Sequence, residues 1–216
     1  MSRLILLLTC VAALAGCAGR PLAPGERAFA EDVFGPGLDP ASVRVVAGFG
    51  AVRAAGSRPL PPKSDRIDPR PGVCDRTAPS GPEGPPPAWA LWNTVHIGRA
   101  FYRDDTLPGW PDQVLMPQVF VLAHELLHVW QWQNRRQTGY RPARAGLENF
   151  LNLDPYFYVP EDGSRFLDYG YEQQATLIED YFCYGIFDPQ NPRRATLRAI
   201  LAPHFRVDQI DAVLAR

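Results

Sequence analysis

Apolar residues recur at helical spacing in the segment 117–137. Side chains three or four residues apart share one face of a helix. Four apolar side chains of this segment follow that spacing: Val119, Ala123, Leu126 and Trp130. Pro117 suits the first turn of a helix, and Gly139 suits the position just beyond its end. The pattern therefore predicts a helix over residues 117–137.

Four other segments have similar patterns. They predict helices over residues 24–34, 171–184, 192–201 and 207–214. Gly35 would end the first of these helices. Asn191 would cap the third, with Pro192 in its first turn, and Pro203 separates the third from the fourth. The chain is therefore expected to be mainly helical.

Two segments have the composition of strands. Residues 42–47 are rich in valine, and residues 89–98 combine alternation with β-branched side chains. Between Pro59 and Pro87, ten of 29 residues are proline, which excludes a central strand or helix there. We predict one α+β domain over residues 24–216, with a small sheet beside the helix of 117–137 and a Pro-rich loop at 59–87.

The first 16 residues have the features of a secretory signal peptide, with Arg3 before a short apolar run. The sequence Leu14-Ala15-Gly16-Cys17 resembles the lipobox of bacterial lipoproteins. This resemblance implies that Cys17 is lipidated and that residues 17–23 form a tether. Ala18, rather than Asp, follows the cysteine, which implies an outer-membrane lipoprotein facing the periplasm.

The charge of the chain is nearly balanced, with 22 basic and 23 acidic residues and a net charge of −1. Nucleic-acid-binding domains carry a basic excess. The sequence therefore gives no case for a nucleic-acid partner. Membrane contact is expected through the lipid on Cys17.

Two of the four cysteines are left after the signal peptide and the lipidation site are assigned. They are Cys74, in the Pro-rich loop, and Cys183, in the helix predicted over 171–184. In an oxidising compartment such a pair can form a disulfide. The alternative is a pair of buried thiols.

The sequence His124-Glu125-Leu126-Leu127-His128 has the HExxH pattern. Histidines four residues apart leave one face of a helix, so both imidazoles can bind one zinc ion. Zinc lowers the pKa of a bound water, and a neighbouring carboxylate can take its proton. We predict that His124 and His128 bind zinc and that Glu125 is the general base.

Catalytic zinc usually has a third protein ligand. The metzincin pattern is excluded because Gln131 and Asn134 stand where that class has Gly and His. Three glutamates remain as candidates: Glu148, Glu172 and Glu179. Glu148 lies twenty residues after His128, and the other two lie on the helix predicted over 171–184. The spacing alone leaves all three open.

Several segments resemble the Vgr-related (Rhs-element Vgr) family of zinc metallopeptidases. They are LAHELLHVWQWQ, YGYEQQATLIEDYF, PLAPGERAFAEDVFGPGLDPASVRV and NTVHIGRAFY. The resemblance implies a gluzincin-like domain in which Glu172, the glutamate of EQQA, is the third zinc ligand. One position departs from the gluzincin pattern: Thr176 stands where many members have an Asp that orients a ligand histidine. Asp180 is a candidate for that role.

These features predict a zinc-dependent peptidase of the cell envelope that hydrolyses peptide bonds with metal-activated water. Its partners would be peptide or protein substrates. His204 is a candidate donor to the developing oxyanion. The alternative is a non-catalytic, zinc-stabilised scaffold or accessory protein of the envelope or of a secretion apparatus.

Overall fold

The structure is a computed structural model, and the fold that it describes is mixed α+β with more helix than strand. The described residues are 19–48, 69–80, 86–160 and 163–215. The predicted signal peptide and Cys17 lie outside them, as do residues 59–68 and 81–85 of the Pro-rich loop.

The described residues include seven α-helices. They are α1 (Pro24–Phe34), α2 (Gln118–Gln133), α3 (Arg135–Thr138), α4 (Pro142–Leu151), α5 (Tyr171–Phe187), α6 (Pro192–Leu201) and α7 (Val207–Leu214). The helix predicted over 117–137 is thus divided. At the division, the backbone N–H and the side-chain amide of Asn134 both donate to the carbonyl oxygen of Trp130, at 2.9 and 2.8 Å.

Four short strands of the described residues form one mixed sheet in the order β1-β2-β4-β3. They are β1 (Arg20–Pro21), β2 (Arg44–Ala47), β3 (Ala88–Leu91) and β4 (Thr94–Ile97). Only the central pair, β2 and β4, is parallel. The single strand predicted over 89–98 is wrong, because Trp92 adopts a φ of 55° and turns the chain back into a hairpin.

The described end of the expected tether is ordered against the domain. Arg20 and Pro21 pair with β2 as an edge strand. The guanidinium of Arg20 donates to both carboxylate oxygens of the buried Glu26, at 2.6 and 2.7 Å. Two residues of the segment predicted as a tether thus pair with the sheet, and a bidentate ion pair holds Arg20 in place.

Helix α2 lies in the centre of the domain. It packs most extensively against α5, and it also contacts β3 and β4. Leu122 and Leu126 of α2 and Leu177 of α5 are fully buried. The predicted position of the small sheet, beside the helix with the HExxH motif, is confirmed. Among the described residues, no helix combines the length and the apolar character needed to cross a membrane.

Candidate metal centre

Three side chains from α2 and α5 converge on one point. The Nε2 atoms of His124 and His128 lie 3.3 Å apart. The Oε2 atom of Glu172 lies 3.0 Å from the first of these nitrogens and 3.1 Å from the second. His128 and Glu172 are buried, and His124 is half-buried. The cluster is therefore a group of donors that could hold a metal ion.

The spacing of these donors suits zinc. Zinc-bound nitrogen and oxygen atoms lie about 2.0–2.1 Å from the ion, so ligands at tetrahedral corners are about 3.3 Å apart. The three separations of 3.0 to 3.3 Å are close to that value. Two imidazoles and one carboxylate are also a common donor set for catalytic zinc.

The other two candidate glutamates have different positions. The backbone N–H of Tyr171 donates to Oε2 of Glu148 at 3.0 Å, so this carboxylate stabilises the N-terminus of α5. Glu179 contacts Nδ1 of His124, the ring nitrogen that faces away from the cluster. Of the three glutamates, Glu172 is the one that the structure brings to the Nε2 atoms.

The contact between Glu179 and His124 fixes the orientation of this imidazole. Oε2 of Glu179 lies 3.2 Å from Nδ1. An ionised carboxylate only accepts hydrogen bonds, so Nδ1 carries a proton, and Nε2 is the nitrogen that faces the position of a metal. Thr176 donates to the backbone carbonyl oxygen of Glu172 instead. Glu179, and not its neighbour Asp180, is therefore the carboxylate that contacts Nδ1 of His124.

A chain of amides orients His128. Nδ1 of His128 lies 2.9 Å from Oε1 of Gln131. Nε2 of Gln131 donates to the carbonyl oxygen of Tyr171 and to Oε1 of Gln174, each at 3.0 Å. Gln174 in turn donates to the carbonyl oxygen of Tyr169. Because backbone carbonyls only accept, both amide orientations are fixed, and His128 must donate through Nδ1.

Opposite charges change the pKa values of the three donors. Burial lowers the pKa of His124, but hydrogen bonds with Glu172 and Glu179 outweigh burial and raise it well above its usual value. The pKa of His128 is also raised, because the charge of Glu172 outweighs burial. Burial raises the pKa of Glu172, but the two histidines hold it well below its usual range. Protons therefore compete with a metal for these histidines.

Glu125, the acidic residue of the HExxH motif, also lies on α2. It is buried, and its Oε2 atom has no hydrogen-bond partner among the described residues. Burial raises the pKa of this carboxyl to about 7, although the nearby charges of His124 and His128 oppose the change. A buried carboxylate oxygen without a hydrogen-bond partner is unfavourable, and such groups are found at functional sites. A general base works best with a pKa near the working pH.

A segment of the Pro-rich loop lies across α5. We call residues 69–80 the strap. Cys74 of the strap forms a disulfide with Cys183 of α5, with an S–S distance of 2.02 Å. The strap also contacts the C-terminal end of α5, where the backbone N–H of Arg70 donates to the carbonyl oxygen of Phe187 at 2.9 Å. The strap is thus held covalently and by hydrogen bonds.

The strap brings an arginine to the edge of the metal centre. Arg76 donates from Nε and Nη2 to the two carboxylate oxygens of Asp180, at 2.9 and 3.1 Å. Tyr158 donates to the same carboxylate at 2.7 Å. Nη2 of Arg76 also lies 3.8 Å from Oε1 of Glu179. The positive charge of Arg76 is therefore close to the carboxylate of Glu179, which contacts His124.

Two tyrosines pack near His124 and His128. The Tyr156 ring is 5.8 Å from the His124 ring, and the Tyr140 ring is 6.2 Å from the His128 ring. Burial raises the pKa of both phenols, and the charges of Glu172 and Glu125 add to the effect. Both phenols therefore stay protonated and can donate hydrogen bonds.

His204 does not have the position expected for an oxyanion donor. Its ring packs against Trp130, Phe166 and Phe205, with centroid distances of 6.0, 5.0 and 6.1 Å. Trp130 is two residues after His128, about 200° further around α2. His204 therefore lies on the other side of this helix, in an aromatic cluster.

Some residues of the site had not been predicted. They are Arg76, Gln131, Tyr140, Tyr156 and Gln174. A signal existed for Gln131, which is three residues after His128 and so on the same helix face. Gln174 stands in EQQA, two residues after Glu172. The two tyrosines and the arginine come from loops that fold over the helices, and no spacing in the sequence connects them to the motif.

The chain has similarity to a known spike protein and to a solved effector domain. No family model matches the chain. It is similar to the type VI secretion system spike protein VgrG2b of Pseudomonas aeruginosa, with 29% identity over 167 residues that cover 76% of this chain and 13% of that protein. Among solved structures it is similar to the effector domain of Pseudomonas aeruginosa VgrG2b, with 23% identity, a TM-score of 0.49, and coverage of 87% of this chain and 84% of that one. The sequence similarity supports the Vgr-related part of the resemblance.

Proposed function

We propose that this protein is a zinc-dependent peptidase with a gluzincin-like site. The observation that carries the proposal is the combination of the three-donor cluster and the buried Glu125, whose Oε2 atom has no hydrogen-bond partner among the described residues. His124, His128 and Glu172 would hold the ion. Zinc, when bound, would act as a Lewis acid and lower the pKa of water in the site.

The residues around the ion would perform the proton transfers and hold the substrate. Glu125 would accept a proton from water and return it to the leaving amine. Tyr156 and Tyr140 replace His204 as candidate donors to the developing oxyanion, because their phenols stand beside the two histidines. Among the described residues, no fourth metal-binding side chain joins the cluster, which leaves room for water.

We also propose that the protein works at the cell envelope in a secretion context. The support is the lipobox-like sequence ending at Cys17 and the similarity to a type VI secretion system spike protein. The lipid on Cys17 would attach the chain to the outer membrane on its periplasmic side. The substrate would be a peptide or protein.

The substitution Glu125→Gln tests the mechanism. It keeps the size of the side chain and removes its basicity. We expect zinc content to be unchanged and cleavage of a mixed peptide library, followed by mass spectrometry, to fall by roughly 10²–10⁴-fold.

The control is Glu31→Gln, a glutamate of α1 remote in sequence from the motif. It should cleave like the wild type. If the Glu125 variant and the wild type cleave equally, the mechanism is wrong. If zinc binds to the wild type but no peptide is cleaved, the result supports the alternative of a zinc-stabilised scaffold.

A further inference from the structure

A cleft of about 620 Å³ lies one helical turn beyond the metal centre. Its walls come from the end of α2, from α3 and from the start of α4. The lining residues are Trp132, Arg135, Gly139, Tyr140, Arg141 and Arg144. Trp132 is four residues after His128, and the Tyr140 ring also packs 6.2 Å from the His128 ring. The cleft is therefore next to the site where a substrate would react.

The three arginines of the cleft are exposed and have no carboxylate partner among the described residues. Arg135 lies over the Trp132 ring at 4.4 Å, and Arg144 lies over the Tyr171 ring at 5.7 Å. Glu148, one turn after Arg144, uses Oε2 to accept the backbone N–H of Tyr171.

Several arginines elsewhere in the described residues are paired with carboxylates. Examples are the pairs of Arg20 with Glu26, Arg76 with Asp180, and Arg194 with Asp211. In a chain with a net charge of −1, the cleft is therefore a local concentration of positive charge that the described carboxylates do not neutralise.

We infer that this cleft binds a carboxylate of the substrate, so that the enzyme favours peptides with an acidic group close to the bond that is cut. The inference rests on the proposed peptidase function. Guanidinium groups bind carboxylates with two parallel hydrogen bonds, and they keep their charge at every physiological pH. Trp132 and Tyr140 supply the apolar walls that a peptide side chain or backbone can pack against.

A carboxylate on a peptide comes either from an Asp or Glu side chain or from the free C-terminus. The geometry of the cleft suits both, because its three arginines are distributed over α3 and the start of α4. Matched probe peptides distinguish the two sources. One contains Glu within the chain and an amidated C-terminus, a second contains Gln instead of Glu, and a third contains Gln and a free C-terminus.

The test measures the binding of these fluorescent peptides to the zinc-loaded Glu125→Gln protein by anisotropy, so that turnover does not interfere. We expect at least one carboxylate-containing peptide to bind more tightly than the neutral peptide. Adding Arg141→Gln and Arg144→Gln should weaken that binding about tenfold and leave the binding of the neutral peptide unchanged. The matched control is Arg136→Gln, an exposed arginine of α3 that does not line the cleft.

Equal binding of all three peptides, or equal loss in the Arg136 variant, would overturn the inference. Cleavage of the same peptides by the wild-type protein tests the proposed peptidase function separately from the binding of a carboxylate. Cleavage without any preference for a carboxylate would leave the peptidase standing and reject the cleft as its specificity site. Arginine-dependent binding without cleavage would keep the carboxylate site and reject the peptidase.

Discussion

The two ligand histidines are one helical turn apart, but they are held in different ways. Nδ1 of His124 meets the carboxylate of Glu179, whose side chain is 30% exposed and lies near Arg76 of the strap. Nδ1 of His128 meets the neutral amide of Gln131, which is fully buried. One partner is charged and partly hydrated, and the other is uncharged and enclosed.

The difference shows how charge is distributed around the proposed zinc ion. A carboxylate on Nδ1 makes an imidazole a stronger donor to a metal, and the second negative charge, after that of Glu172, helps to balance a divalent cation. The amide of Gln131 orients its histidine without adding charge, which suits a buried position where an unpaired ion would be unfavourable. We therefore expect metal binding by His124 to depend on electrostatics and metal binding by His128 to depend on packing.

Among the residues that orient the two histidines, the largest effect on zinc affinity is expected for Glu179→Ala. Loss of a carboxylate that orients a ligand histidine typically reduces metal affinity about 10–100-fold. Stability should change little because the side chain is partly exposed. Competition with a chromophoric chelator measures the affinity, and Glu179→Gln, which keeps a hydrogen bond without the charge, should be intermediate. Wild-type affinity in the alanine variant would contradict the role of charge at His124.

A smaller loss of zinc affinity, about tenfold, is expected for Gln131→Ala. This variant leaves Nδ1 of His128 and the amide of Gln174 without their partner in a buried place. The free energy of unfolding should therefore fall by about 1–3 kcal/mol, which thermal or urea unfolding would measure. The proposed difference between the two histidines is wrong if Gln131→Ala changes only the zinc affinity and Glu179→Ala changes only the free energy of unfolding.

The smallest loss of zinc affinity, about threefold, is expected for Arg76→Gln, because Nη2 of Arg76 is 3.8 Å from Oε1 of Glu179. Its effect on stability should be larger, about 2 kcal/mol near pH 8, since the buried Asp180 loses its cation.

Burial already raises the pKa of Asp180 to about 6, above its usual 3.8. Removing Arg76 raises this pKa further, so the carboxyl protonates in the folded state as pH falls. The loss of stability should therefore be smaller at pH 5 than at pH 8 in urea unfolding. An equal loss at both pH values would show that the ion pair does not stabilise this region.

The sequence predicted the parts of the site that depend on local spacing. His124, Glu125 and His128 lie within five consecutive residues, so the period of a helix was enough to place them together. The third donor lies 44 residues beyond His128, and spacing alone left three glutamates open. A resemblance to a family selected Glu172.

The supporting contacts could not be derived in this way because they depend on tertiary packing. Arg76 reaches Asp180 across 104 residues, and Tyr156 reaches His124 from a loop. The sequence pattern also did not separate β3 from β4. A two-residue turn at Trp92 and Asn93 leaves the alternation of strand residues almost unbroken.

The most direct test of the central claim is the zinc content of the purified wild type beside Glu172→Ala and Glu148→Ala, measured by elemental analysis after dialysis. The account predicts one zinc per chain in the wild type and in Glu148→Ala, and loss of the metal in Glu172→Ala. Retention of zinc in Glu172→Ala together with its loss in Glu148→Ala would contradict the proposed ligand set.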